Sequence, residues 1–204
     1  MTLEKHLVVF AKAPRLGRVK SRLARDIGPV AAWAYYRRQL AETSRCLAGA
    51  GRWRGWLAVT PDQAVFRDRP WPDHWDRISQ GSGDLGQRMD RIMTVLPPGP
   101  VVIVGSDIPG IRPDQIKAAF RRLGDHDAVL GPAPDGGYWL VGLRRRPRLP
   151  RAFDNVRWST PHAMADTLAN LANHRTVLLD EMEDVDDGLS FARWRLNHRF
   201  RQAR

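Results

Sequence analysis

Apolar residues along this chain recur with two different periods. Short runs rich in β-branched side chains fall at 7–11, 56–60, 101–105, 128–131, 138–143 and 176–179, and such runs bounded by turn residues predict strands. Between them the apolar positions step by three and four. One set is Trp33, Tyr36, Leu40, Thr43 and Leu47, and a second is Leu85, Met89, Ile92 and Leu96. Ile116, Phe120 and Leu123 form a third, and Met164, Leu168 and Leu171 a fourth. That spacing gathers each set on one helical face. Pro113 and Pro161 stand where helices would open, since proline is tolerated in the first turn. Ser159 or Thr160 is placed to cap the second of these helices, and Asp114 to cap the first.

Strands alternating with helices predict an α/β chain, a single-domain three-layer α/β/α arrangement with a mostly parallel central sheet. The run Val101-Val102-Ile103-Val104 has no polar alternation, as expected of a central strand covered on both faces. No internal repeat, low-complexity segment or long linker interrupts the pattern, and 97–100 reads as a helix-to-strand turn. One domain over 1–204 is therefore expected. In open sheets of this class ligands collect at the carboxyl ends of the strands, which directs attention to the residues following each run.

Composition narrows the function classes. Hydrophobic residues make up 43% of the 204, and no stretch approaches the roughly 20 apolar residues of a membrane span. The first run lacks the longer apolar region and small-residue cleavage site of a signal peptide. The one cysteine, Cys46, permits no internal disulfide and points to a reducing compartment, the cytoplasm. It falls within a predicted helix and is expected in the core. Neither G-x-S-x-G nor H-E-x-x-H occurs, and the six histidines are dispersed without zinc spacing. Lysine and arginine number 33 against 22 acids, a formal charge of +11. This suits phosphate-bearing ligands. It also admits a nucleic-acid partner, for which the tail Arg193-Trp194-Arg195 with His198, Arg199, Phe200 and Arg201 is the candidate surface; a terminal amphipathic helix with a solvated basic face accounts for it as well.

Four segments carry candidate chemistry. After the first strand, 11–23 places Lys12, Arg15, Arg18, Lys20 and Arg22 in a loop shaped by Pro14 and Gly17, the setting a phosphate needs. After the buried strand, Gly105-Ser106-Asp107-Ile108-Pro109 puts a carboxylate at a strand end, poorly explained by packing and well explained as a ligand for Mg²⁺. Asp135-Gly136-Gly137 reads as a hairpin turn, or as a place where backbone approaches a ligand and Asp135 accepts bonds from hydroxyls. The acidic run 180–187 stands out in so basic a chain, and Asp184 or Asp186 offers a second carboxylate to the same metal. A further segment, Gln80-Gly81-Ser82-Gly83-Asp84 with Arg88 following, either lines a base or ribose site or caps a helix through Asp84.

Read in order, the motifs F-A-K-A-P-R-x-G-x-V-K-S-R-L, Q-G-x-G-D-L-G-x-R-M, G-S-D-I-P, G-P-x-x-D-G-G-Y-W-L-V-G-L, W-S-T-P and D-V-D resemble the radical-SAM/selenodomain-associated transferases, the arsenosugar-biosynthesis-type glycosyltransferases. That family belongs to the nucleotide-diphospho-sugar transferase superfamily and implies a glycosyltransferase-A-like fold. The stretch 15–20 is also similar to molybdenum-cofactor guanylyltransferases, and 20–24 to phospholactate guanylyltransferases. The resemblance implies Arg15, Lys20 and Arg22 against nucleotide phosphates, and Lys12, Gly17, Gln80, Gly81, Asp84 and Arg88 are the further candidates on the nucleotide side. It implies Mg²⁺ or Mn²⁺ at Asp107, with Asp184 and Asp186. Gly136, Gly137, Tyr138, Trp158, Ser159 and Thr160 would border the substrate, and Lys20, Asp107 and Asp135 would act in catalysis. Where many such proteins carry cysteine after the metal aspartate this chain has Ile108, and D-V-D is followed by Asp187-Gly188-Leu189 in place of T-P-E-D. Sugar transfer from a nucleotide sugar to a small acceptor is the expected activity; nucleotidyl transfer from an NTP is the alternative.

Overall fold

The computed structural model describes residues 3–66, 71–72 and 74–202, with side chains through Leu196. Seven strands form one sheet: β1 (His6–Lys12), β2 (Arg54–Thr60), β3 (Asp76–Ser79), β4 (Val101–Gly105), β5 (Ala128–Pro132), β6 (Tyr138–Leu143) and β7 (Thr176–Leu178), in the order β3-β2-β1-β4-β6-β5-β7. Every neighbouring pair is parallel except β4–β6 and β5–β6, so β6 alone among these strands runs backwards. The helices are α1 (Ser21–Ile27), α2 (Pro29–Leu47), α3 (Leu85–Val95), α4 (Pro113–Arg122), α5 (Ala163–Asn170) and α6 (Gly188–Gln202). No helix among the described residues is long and apolar enough to cross a membrane.

The period-two alternation of the strands sorts their side chains onto two faces. Leu7, Val9, Leu57, Val59, Val102 and Val104 pack beneath Tyr36, Leu40 and Leu47 of α2 and Ile116 and Phe120 of α4. Val8, Ala58, Ile103, Leu130 and Val141 face the other way, onto Met89, Ile92 and Met93 of α3. Each fully buried aliphatic side chain contributes about 1.5–3 kcal/mol, which makes β1 and β4, buried along nearly their whole length, the rigid centre. The mostly parallel three-layer α/β arrangement expected from the sequence is present.

Some local expectations fail, for identifiable reasons. β3 was not foreseen because Asp76-Arg77-Ile78-Ser79 has one apolar residue; it forms at the edge, where pairing to β2 and the Arg54–Asp76 ion pair at 2.7 Å suffice. α1 carries no helical signature in the sequence because its seven residues hold a single buried one, Leu23. α5 begins at Ala163 with His162 as N-cap, not at Pro161. The Thr160 hydroxyl instead closes a turn, donating to Arg157 O at 2.7 Å and accepting from His162 N at 3.2 Å. Arg112, not Asp114, is the N-cap of α4, and Asp114 pairs with Lys117 at 3.0 Å in the first turn. Cys46 lies on α2 as expected but on its exposed side, so it is not core.

β6 crosses the middle of the sheet at Gly142. A Cβ there would lie 2.6 Å from Val129 Cγ1 and 3.1 Å from Val102 Cγ2. Gly142→Ala is therefore expected to cost about 1–3 kcal/mol through overpacking, measured by urea unfolding. An unchanged midpoint would show that the sheet yields at this crossing.

Candidate functional site

Three carboxylates meet at the carboxyl edge of the sheet. Asp107 is delivered by β4, two residues past its end. Asp184 and Asp186 flank Val185, which is 2% exposed and buried with Leu23, Ala32 and Tyr35; burying the middle residue turns both acids outward together. The loop is tied down further along. Ser190 N donates to Asp187 Oδ1 at 2.8 Å, the bond of a helix cap, and Gly188 N donates to Asp26 Oδ2 at 2.7 Å. One oxygen from each of Asp107, Asp184 and Asp186 lies within 4.8 Å of the others.

Lys20 fills the centre of this cluster. Its backbone adopts φ 47, the left-handed region, which is uncommon for a residue with a side chain and worth an explanation. The conformation aims Nζ at the acids: 2.6 Å from Asp107 Oδ2, 2.7 Å from Asp186 Oδ1 and 3.8 Å from Asp184 Oδ2, with the side chain 5% exposed. Burial works against the ammonium charge, but Asp107, Asp186 and Asp184 outweigh it and hold the lysine protonated well above its ordinary range. Burial pushes the Asp184 carboxyl upward, against the pull of Lys20 and aided by Asp186, Asp107 and Asp135. Arg22 adds a second cation, 3.5 Å from Asp186.

The neighbouring loop is anchored by aromatic side chains. Tyr36 Oη accepts from Lys12 N at 2.8 Å and donates to Lys12 O at 2.9 Å, with Ser106 Oγ 3.1 Å away. Burial pushes this phenol up to about 12, so it stays a neutral clamp. Trp33 Nε1 donates to Pro14 O at 2.8 Å. These bonds hold the end of β1 beside the end of β4.

Three cavities reach the acid cluster; one of about 650 Å³, lined by Cys46, Ile111 and Val185, touches Asp184 alone of the three acids, and the other two carry the candidate ligand chemistry. The first of these two, about 410 Å³, is lined by five cations, Lys12, Arg18, Lys20, Arg22 and Arg88, together with Asp107 and Asp186. The second, about 200 Å³, is walled by Tyr138, Trp139 and Trp158 and contains Asp135, Asp184 and the Ser159–Thr160 turn. A larger hollow of about 720 Å³ lies between α4 and β7. It touches none of the three acids.

The structure divides the residues expected from sequence into three groups. Lys12, Lys20, Arg22, Gln80 and Arg88 line the first cavity, and Gly137, Tyr138, Trp158, Ser159, Thr160 and Asp135 the second. Arg15 and Gly17 sit on an exposed turn outside it. Others are occupied structurally. Asp84 accepts from Gln87 N at 2.8 Å while Gln87 Oε1 accepts from Asp84 N at 3.0 Å, a capping box for α3. Gly81 N is bound by Asp62 and Ser79. The Gln80 amide donates to Ala58 O at 2.7 Å and Ala11 O at 3.3 Å, clipping β1 to β2, while its oxygen accepts from Arg88 at 3.3 Å. Gly136, at φ 83, closes the hairpin over Pro161, whose oxygen would lie 2.2 Å from a Cβ. Sequence reasoning assigned no role to Tyr36 or Ser106. For Tyr36 the signal was a polar tip on an apolar helical face, indistinguishable from packing until its partner is known.

Lys20→Met is expected to lower unfolding free energy by about 3 kcal/mol, the low end for an uncompensated buried charge, because the acids remain 22–42% exposed. Urea unfolding at low and high salt measures it, and part of the loss should return with salt as the acids are screened. A loss below about 0.5 kcal/mol would mean that solvent already neutralises the cluster.

A family model for uncharacterized proteins conserved in bacteria (DUF2064) matches residues 43–160. A candidate nucleotide-diphospho-sugar transferase from Desulfovibrio desulfuricans G20 superposes with a TM-score of 0.81 at 31% identity, over 92% of this chain and 84% of that one. Two more distant structures share the fold. One is CMP:2-keto-3-deoxy-manno-octonic acid synthetase complexed with CTP, with a TM-score of 0.57 at 14% identity over 98% and 100% of the two chains. The other is Rv0371c of Mycobacterium tuberculosis H37Rv complexed with manganese, with a TM-score of 0.55 at 16% identity over 95% and 98%. No curated protein matches by sequence. The chain belongs to the DUF2064 family and has a nucleotide-diphospho-sugar transferase-like fold.

Proposed function

We propose that the chain is a divalent-metal-dependent transferase taking a nucleotide-activated sugar as donor and a small molecule as acceptor. The observation that carries this reading is the placement of Asp107, Asp184 and Asp186 where a cation-lined cavity meets an aromatic-walled one. Three carboxylate oxygens within 4.8 Å of one another are hard ligands suited to Mg²⁺ or Mn²⁺. A cation bound there would offset the negative charge that develops on the leaving diphosphate.

The chain's own residues supply the rest. Lys12, Arg18 and Arg88 bind donor phosphates in the first cavity, and Arg88 is oriented by the Gln80 oxygen. Lys20 Nζ sits among the three acids in this structure, so a metal ion bound there would take its place and turn the ammonium toward the donor phosphates at the same edge. Asp135, whose Oδ1 accepts from Gly137 N at 2.9 Å, faces the second cavity with a free oxygen that can orient an acceptor hydroxyl. The motif likeness to glycosyltransferases and the 31% identical neighbour favour sugar transfer. Nucleotidyl transfer is the second reading, favoured by the K-S-R-L stretch and by the CTP-complexed neighbour; the same cations would steady pyrophosphate. A chain with one cysteine suits a reducing compartment such as the cytoplasm.

A nucleic-acid role for the tail is less well supported. Phe191 and Trp194 pack edge-on against Tyr35, with centroids 5.4 and 4.9 Å away, and Arg193 is paired with Glu183. Those rings serve the fold and not base stacking. The side chains of His198, Arg199, Phe200 and Arg201 lie outside the described residues.

Calorimetric titration with NTPs, NDPs and NDP-sugars, with and without Mg²⁺ or Mn²⁺, tests the proposal. Binding should require the metal and weaken by at least about tenfold, 1.4 kcal/mol, in Asp107→Ala. Turnover should release NDP, whereas release of pyrophosphate would establish the second reading. Equal binding by Asp107→Ala would refute the metal site.

A further inference from the structure

We infer that the acceptor is a small, uncharged, hydroxyl-bearing molecule about the size of one sugar ring, held against Trp158 in the second cavity. This rests on the transferase reading above and narrows it, because it excludes phosphorylated and carboxylated acceptors.

The first ground is the distribution of charge. Lysine and arginine make up 33 of 204 residues, and five of them line the first cavity. Among the described residues none lines the second, whose carboxylates are Asp135 and Asp184. The nearest cation along the chain, Arg157, is turned away and engaged: Nε and a terminal nitrogen donate to the two oxygens of Asp166 at 2.8 and 2.7 Å, and Arg157 N donates to Asp166 at 3.0 Å. Asp184 is answered by Lys20, 3.8 Å away in the acid cluster, but Asp135 forms no ion pair among the described residues, so an anionic group entering beside it meets an unbalanced carboxylate, which opposes binding. The two cavities thus sort ligands by charge, phosphates to one side of the acid cluster and neutral groups to the other.

The second ground is the wall. Trp158 is wedged between Tyr138 (centroids 6.3 Å apart, planes at 77°) and Phe153 (6.3 Å), and a Cβ on Gly86 would lie 2.8 Å from its ring. A ring fixed in this way presents a preformed apolar plate, and Leu85 and Ile108 extend it. Such a surface fits the C–H face of a sugar or cyclic polyol, with hydroxyls directed to a few fixed polar groups. Asp135 and Ser159 supply those groups. Ser159 is held at φ 61, strain of the kind that persists at ligand clamps. The cavity of about 200 Å³ admits one ring and little more. Asp184 belongs to both the cavity wall and the acid cluster, so a hydroxyl bound beside it lies next to the donor.

Collisional quenching tests the charge selection without knowing the acceptor. The Trp158 signal is obtained as the difference between wild type and Trp158→Phe, with acrylamide, iodide and caesium as neutral, anionic and cationic quenchers. The measurement is made with and without Mg²⁺ and the tightest-binding nucleotide of the titration above. Iodide should quench Trp158 at least about threefold less effectively than acrylamide, even though a chain of charge +11 attracts anions elsewhere. Asp135→Asn should restore much of the iodide quenching. Equal quenching by iodide and acrylamide overturns the inference, and so does stronger protection of Trp158 by glucose 6-phosphate than by glucose. Nucleotide titration reports separately on the transferase reading, so either idea can fail alone.

Discussion

The contact between Lys20 and the three carboxylates organises the carboxyl edge of the sheet. At an effective dielectric of about 20, two like charges ~4 Å apart repel by about 4 kcal/mol, so Asp107, Asp184 and Asp186 would not gather unaided. Lys20 Nζ, at 2.6 Å from one and 2.7 Å from another, supplies the offset. Other features follow from that requirement. The left-handed backbone at Lys20 aims the side chain inward, the buried Val185 turns its two neighbours toward it, and the Asp187–Ser190 cap fixes where α6 begins.

The cluster also divides its surroundings. Basic residues crowd one side and aromatic rings the other, so a ligand spanning both would have a charged end and a neutral end in a predetermined order. That arrangement depends on the reversed strand. Because β6 runs antiparallel to β4 and β5, the hairpin turn at 133–137 emerges at the same edge as Asp107. A parallel β6 would have needed a crossover to the opposite edge and would have begun there, away from the acids.

Much of the architecture was legible in the sequence, because long apolar runs and three-four spacing report burial directly. β4 and β6 have the bounds their composition implied, Val101–Gly105 and Tyr138–Leu143. What escaped was held by forces with no periodic signature. β3 depends on pairing with an edge, and α1 on a single leucine. At the site, residue types at strand ends were informative: Asp107, Lys20 and the D-V-D pair were all singled out, and they converge. Their mutual contact was not readable, since nothing in a basic loop says that its lysine will face acids as far as 166 positions away. Asp84 and Gly81 show the opposite case, where a glycine-rich motif resembling a ligand loop spends polar groups on the fold, Asp84 on capping α3 and Gly81 N on Asp62 and Ser79.

Lys20 and Asp186 are 166 residues apart, and this separation has a bearing on how the protein comes into being. A chain emerging from the ribosome folds its earlier parts first, so β1, β2 and β4 can pair while the acidic loop is still unmade. Until that loop arrives, Lys20 has Asp107 as its remaining partner in the cluster. Completion of the site thus waits on the acidic loop, and the charge balance at the sheet edge registers whether that loop has docked.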